Sequence, residues 1–180
     1  LIPGESNVSE SLATAYAPFG PQGQMFGVLR SQLMLRWFDS EPSRKALAII
    51  SAGRGEGRSY VAANLAVSFS QLGQKTLLID ADMRNPTQHA LFSVDNRSGL
   101  SSVLAGRTEL QSVIQHVPGL LGLSVLPAGA QPPNPLELLA RASDERQLTR
   151  CMDGLSATQR QSVALAFFDG LSHAEVADHL

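Results

Sequence analysis

Glycine alternates with charge in Gly53-Arg54-Gly55-Glu56-Gly57, and Arg58, Ser59 and Tyr60 follow. Glycines at that spacing allow a backbone path that turns several N–H groups inward, where they can wrap a phosphate chain. Ala52-x-x-x-x-Gly57-Arg58-Ser59 meets the phosphate-loop template except at its lysine. Arg58 supplies the cation for β and γ oxygens, as a planar fork rather than a compact ammonium, and the Ser59 hydroxyl can ligate Mg²⁺. About twenty residues on come Asp80 and Asp82, then Arg84. Paired carboxylates at a strand end can hold Mg²⁺, directly or through water, and can draw a proton from an attacking hydroxyl. They can also simply cap the turn that follows. Arg84 can pair with them or touch phosphate, or remain a plain surface arginine.

These residues need elements to position them. The apolar run Ala46–Ile50 reads as a buried strand ahead of the loop, and a helix follows to about Leu72, stopped by Gly73. Lys75–Asp82 reads as a second buried strand ending in the two acids. Two apolar strands joined by a helix make a right-handed βαβ unit, so the class is α/β with a parallel sheet flanked by helices, as in P-loop NTPases.

Composition sets the limits. With 43% hydrophobic and 17% charged residues, the 180-residue chain is globular rather than disordered. A formal net charge of −2 gives no global attraction to nucleic acid or anionic lipid. The single cysteine, Cys151, rules out an intrachain disulfide and a multi-cysteine metal cluster. No apolar run is long enough to span a membrane, and no basic-then-apolar leader is visible. The expectation is a cytoplasmic protein.

Residues 1–23, rich in Pro, Gly and Ser, are expected as a flexible arm. Phe26, Leu29, Leu33 and Trp37 recur at helical spacing over about residues 24–38. Downstream of the acids, Leu100–Leu104 reads as a short helix. A capping box at Thr108–Gln111 predicts a helix to about His116, Leu121–Leu126 is a strand, and Asn134-Pro135 opens another helix. After about Ala142 the texture becomes helical. Capping boxes at Ser156/Gln159 and Ser172/Glu175 introduce the apolar patterns Val163, Ala164, Phe167 and Val176, Leu180. The organisation expected is an arm (1–23), a partial P-loop domain (24–141) and a short all-α segment (142–180).

ISAGRGEGRSYVAANLAVSFSQLG followed by TLLIDADMRNP resembles the bacterial tyrosine kinases of exopolysaccharide export, most nearly the EpsG-type chain-length-determinant tyrosine kinases. Their Walker A ending and Asp-x-Asp-x-Arg motif fall at Gly55–Ser59 and at Asp80, Asp82 and Arg84. Val125–Leu139 is similar to their Pro-Ala-Gly … Asn-Pro-x-Glu-Leu-Leu stretch, so the likeness covers about residues 20–141. It implies an ATP- and Mg²⁺-dependent autokinase acting on tyrosines of neighbouring subunits. Its partner would be a membrane-embedded polysaccharide co-polymerase or activator that regulates chain length. The implied site is Gly53, Arg54, Gly55, Glu56, Gly57, Arg58, Ser59, Tyr60 and Arg84 for nucleotide, Ser59, Asp80 and Asp82 for metal, and Arg58, Asp80 and Asp82 for catalysis.

The chain departs from that pattern in three ways. Arg58 replaces lysine. The helix that carries a Glu-x-x-Arg-x-x-Arg oligomerisation motif in the family reads Gln24, Gly27, Arg30 here, which weakens self-association. The family's Walker B strand and tyrosine cluster have no counterpart after Leu139, and the tyrosines present are Tyr16 and Tyr60. A missing central strand predicts a marginal sheet unless the tail helices cover it, and a chain that binds nucleotide but catalyses little.

Cys151–Leu180 resembles the first helices of region 4 of extracytoplasmic-function sigma factors, ending before the recognition helix. Without that helix, and with Asp153, Asp169, Glu175 and Asp178 against Arg150 and Arg160, DNA binding is not expected. Two other readings stay open: a ParA/MinD-like ATP switch without kinase activity, and a sigma-like module for DNA or RNA polymerase.

Overall fold

The computed structural model describes residues 1–40, 44–135, 138 and 163–166. Its centre is a sheet of five strands: β1 (Ala46–Ala48), β2 (Thr76–Ile79), β3 (Gln115–His116), β4 (Leu123–Leu126) and β5 (Val163–Ala166). Their spatial order is β1-β5-β2-β4-β3. The strands from β1 to β4 in that order are parallel, and β3 joins β4 antiparallel at the edge. Side chains of β2 alternate: Leu78 belongs to the apolar cluster on one face and Leu77 to that on the other. Burial on both faces is what parallel strands require.

Helix α3 (Arg58–Ser70) crosses from the β1 side to β2 and covers the first face. Everything from Ala62 to Ser70 is buried. Small alanines at 62, 63 and 66 allow close approach, and Leu65, Val67 and Phe69 fill the core. Below the other face lie α5 (Leu100–Leu104) and α6 (Leu110–Val113), which pack Leu100 and Val113 against Leu77 and Leu126. The Pro127–Ala128 turn after β4 binds the start of α5, with Leu100 N–H donating to the Pro127 carbonyl at 2.8 Å and Ser101 N–H to that of Ala128 at 2.9 Å.

Several expectations are corrected. The arm is folded: Val8, Leu12, Ala15 and the short helix α1 (Ala13–Tyr16) pack against α3, and Leu12 is fully buried. Thr14 and Asn64 join it to that helix, Thr14 N–H and Oγ1–H donating to the Asn64 Oδ1 at 3.0 and 2.8 Å. Polar composition concealed these three apolar anchors. Helix α2 (Pro21–Leu33) runs on into a π-helical turn (Met34–Phe38). Phe26, Leu33, Met34 and Phe38 face the core; the wider turn from Met34 on brings Phe38 inward in place of Trp37, while Leu29, in the regular helix before it, lies on the exposed side. The helix start expected at Thr108 moves by one residue. Glu109 stands at the N-cap of the one-turn α6, and the chain is extended by Gln115, where it pairs with β4.

The largest correction concerns the tail. Val163–Ala166, expected as helix, is the parallel strand β5 between β1 and β2, with Ala164 opposite both Ala46 and Leu77. A short apolar run fits either period, and a sheet slot flanked by strands on both sides decides in favour of the ladder. The central position expected to be vacant is therefore occupied by this chain's own tail. The other helical expectations for the tail fall outside the described residues. The helix expected at Asn134 is supported at its first turn, where Leu138 N–H donates to the Asn134 carbonyl at 3.2 Å.

Candidate functional site

The loop between β1 and α3 rises from the C-terminal end of its strand, the edge at which parallel α/β sheets bind ligands. Gly55 (φ 76°) and Gly57 (φ 84°) adopt left-handed conformations that side chains disfavour. Gly57 is the N-cap of α3, so Arg58 and Ser59 form its first turn, where backbone N–H groups have no acceptor within the helix. Arg58 folds back over the start of the loop. Its Nη1 donates to the Ser51 hydroxyl at 2.8 Å and to the Gly53 carbonyl at 3.0 Å, which ties the two ends of the loop together. Arg54 and Gly55 are exposed.

Glu56 turns into the loop. Its Oε1 would lie 3.2 Å from a Cβ at Gly53. Hydrogen bonds from the Ser51 hydroxyl and then from the Gly53 backbone lower its pKa, with smaller help from Arg58 and the Ala52 backbone. Tyr60 points away from the loop, with its ring edge-on to Phe26 at 6.0 Å between centroids.

The two acids behave as one buried turn. Asp80 and Asp82 are 2% and 7% exposed. Asp80 Oδ1 accepts the Asp82 N–H at 3.1 Å, and its Oδ2 accepts those of Thr87 at 3.1 Å and Gln88 at 3.0 Å, capping helix α4 (Gln88–Phe92). Asp82 Oδ1 accepts the N–H groups of Arg84 at 3.1 Å and Asn85 at 2.8 Å. Burial raises the Asp80 pKa; its three backbone hydrogen bonds offset part of that, and the charge of Asp82 adds to it. The Arg84 side chain is exposed.

Gln88 joins the two halves. While its N–H serves Asp80, its Nε2 donates to the Ser59 carbonyl at 3.1 Å. Ser59, Asp80 and the turn through Asp82 are thus brought together. Tyr60 stands outside this group. Gln88 carried no signal in the sequence beyond being a polar residue shortly after the acids.

The residues present fit a magnesium nucleotide. Glycines with open space where Cβ atoms would be leave room for phosphates at Gly55 and Gly57. The described residues hold no cluster of three or more His, Cys, Asp or Glu that could cage a metal alone. Mg²⁺ asks for no such cage, since it binds through one or two carboxylates, phosphates and retained waters. A buried acid whose charge is penalised by desolvation also favours a nearby cation.

Residues 145–180 match the family described as Sigma-70, region 4. The rest of the chain is similar to tyrosine kinases. It is 42% identical to a putative tyrosine-protein kinase CapB of Staphylococcus aureus over 65% of this chain and 50% of that one. The chain thus spans about half the length of the curated relatives it matches. Among solved structures, the chimerical protein CapA2B2 is 34% identical with a TM-score of 0.74, covering 90% of this chain and 69% of that chain. The kinase domain of the Escherichia coli tyrosine kinase Etk is 32% identical with a TM-score of 0.76, covering 93% and 63%. The septum-site protein MinD of Pyrococcus horikoshii, solved with Mg-ADP, is more distant, at 26% identity and a TM-score of 0.56 over 74% and 52%.

Proposed function

This chain belongs to the bacterial tyrosine kinases, and from that premise we propose that it serves capsule or exopolysaccharide synthesis, binds Mg·ATP between the glycine loop and the acidic turn, and transfers a phosphoryl group to a tyrosine on another chain. The observation that carries the reading is the Gln88 link, which places the start of α3 beside the buried Asp80 carboxylate.

Gly53, Gly55 and Gly57 give the backbone its cradle, lined at its rim by Arg54 and Glu56, and Ser59 offers a hydroxyl to the cation. Bound Mg·ATP supplies the phosphoryl group and the charge that balances it. Arg58 holds the loop ends and stands where phosphate charge is to be met. Asp80, fixed by three N–H groups, orients the cation's surroundings. Asp82 commits only Oδ1 among the described residues, so its Oδ2 is the oxygen suited to take the proton of a tyrosine hydroxyl. Arg84, exposed beside it, is placed to meet incoming phosphate.

The acceptor lies outside this chain. Tyr16 donates its hydroxyl to the Val8 carbonyl, and Tyr60 packs on Phe26. Two positions of the family's oligomerisation helix are also engaged internally. Gln24 donates to the Phe19 carbonyl at 2.9 Å, and Arg30 donates to the Ser68 carbonyl at 2.9 Å. Self-association through α2 is accordingly weak, and control by a membrane-embedded activator follows from the family. No helix among the described residues is long and apolar enough to cross a membrane.

Incubation with Mg·ATP and a tyrosine-rich peptide, followed by phosphotyrosine detection, tests the reading. Phosphotyrosine that disappears in Asp82→Asn supports it. ATP hydrolysis with no phosphotyrosine would favour the second reading, a MinD-like switch, which the internal engagement of both tyrosines also suits.

A further inference from the structure

The nucleotide site contains one polar group that the fold itself leaves unanswered. Gln88 is 3% exposed. Its backbone N–H and its Nε2 are both engaged, by Asp80 and by Ser59, but its Oε1 is buried with no hydrogen-bond partner among the described residues. Turning the amide over gives no relief, because it would set Oε1 against the Ser59 carbonyl, acceptor against acceptor. The two groups that Gln88's donors meet, the Asp80 carboxylate and the Ser59 carbonyl, are acceptors. None of the described residues gives Oε1 a donor, and buried acceptors without donors are costly enough to be rare.

We propose that Gln88 is a positioning residue whose Oε1 receives a hydrogen bond from a water carried by the divalent cation of the bound nucleotide. The inference rests on the nucleotide reading above and adds to it the group that senses the cation's water shell. The chemistry suits Mg²⁺, which dehydrates reluctantly, so its bound waters remain as polarised donors. Donation from Nε2 to Ser59 then holds the acceptor in place beside the residue that ligates the metal. An ordinary trapped water could also satisfy Oε1, but it would be indifferent to Mg²⁺, which separates the two cases.

The test is ADP affinity measured by calorimetry with Mg²⁺ and with EDTA, for the unsubstituted chain, Gln88→Met and Gln88→Glu. Met keeps the volume but removes both the acceptor and the Nε2 donor to Ser59, whereas Glu loses the same donor and keeps an acceptor oxygen, so the difference between the two isolates the acceptor. Gln88→Met should reduce the tightening produced by Mg²⁺ by about tenfold, the worth of one charge-assisted hydrogen bond. Its affinity in EDTA should stay within about twofold, and Gln88→Glu should retain the Mg²⁺ response. Equal loss in both conditions, or no loss, would overturn the proposal. If the variants fail to fold, NMR of the unsubstituted chain decides: the Gln88 side-chain amide signals should shift with Mg·ADP and not with ADP in EDTA, and equal shifts would refute the role. Failure of the unsubstituted chain to bind ADP in either condition is a different result, which removes the nucleotide reading and Gln88's role with it.

Discussion

Asp80 and Glu56 both accept hydrogen bonds from backbone N–H groups, yet their acidities move in opposite directions. Asp80 sits under the sheet's C-terminal edge, where desolvation outweighs its three N–H partners. Glu56 lies in the solvent-facing loop, where the Ser51 hydroxyl and the Gly53 N–H stabilise its charge. The acidic turn is therefore a piece of the core. The glycine loop is a local structure, closed by Arg58 and occupied by Glu56, whose hydrogen-bond donors are the ones proposed above to meet phosphate. Changes on the acidic side should act on folding first, and changes in the loop on binding first.

The strongest challenge to this contrast removes the floor of both halves. Proline at Ala164 would break the ladder between β1 and β2, with an expected loss of about 3 kcal/mol or more in urea unfolding. Unchanged stability would show that the tail does not serve as the central strand. Asp80→Ala comes next. It bares three buried N–H groups and should cost about 2 kcal/mol net, since the burial penalty of the carboxylate is removed with it. Glu56→Ala should lower the unfolding midpoint far less, and equal destabilisation by the two would erase the contrast.

The loop is sharpened by affinity rather than stability. Arg58→Ala should weaken ADP binding by about tenfold, whereas Glu56→Gln, which removes the competing charge, should tighten it by about threefold at neutral pH. Weaker binding in Glu56→Gln would mean that the carboxylate supports the cradle rather than fills it.

The smallest expected effect is in pH dependence. Asp80's raised pKa contributes stability that is complete below its unfolded value and is lost as pH rises through the folded value. Glu56's lowered pKa contributes stability present above its unfolded value and lost as pH falls through the folded one. Stability measured through the acid range should show the first slope flattened in Asp80→Asn, and Glu56→Gln should alter only the lower end.

The glycine loop, the strand before it and the acids after the second strand were legible because each rests on local chemistry: left-handed glycines, apolar runs, carboxylates at a strand end. The helix at Leu100–Leu104 was legible for the same reason. Val163–Ala166 was not. Its residues suit a helix or a strand, and only a slot between two strands distant in sequence selects one. Leu12 was hidden by its polar surroundings, and its burial depends on the face that α3 offers. Gln88 could not be found by motif, because its importance lies in spanning two turns that meet only in the fold.

The central claim is that the glycine loop and the acidic turn form one magnesium–nucleotide site. Calorimetric titration of the unsubstituted chain with ADP, in Mg²⁺ and in EDTA, tests it most directly. The account predicts saturable binding that Mg²⁺ tightens by about tenfold or more. Binding that is absent, or equally strong without the cation, would contradict it.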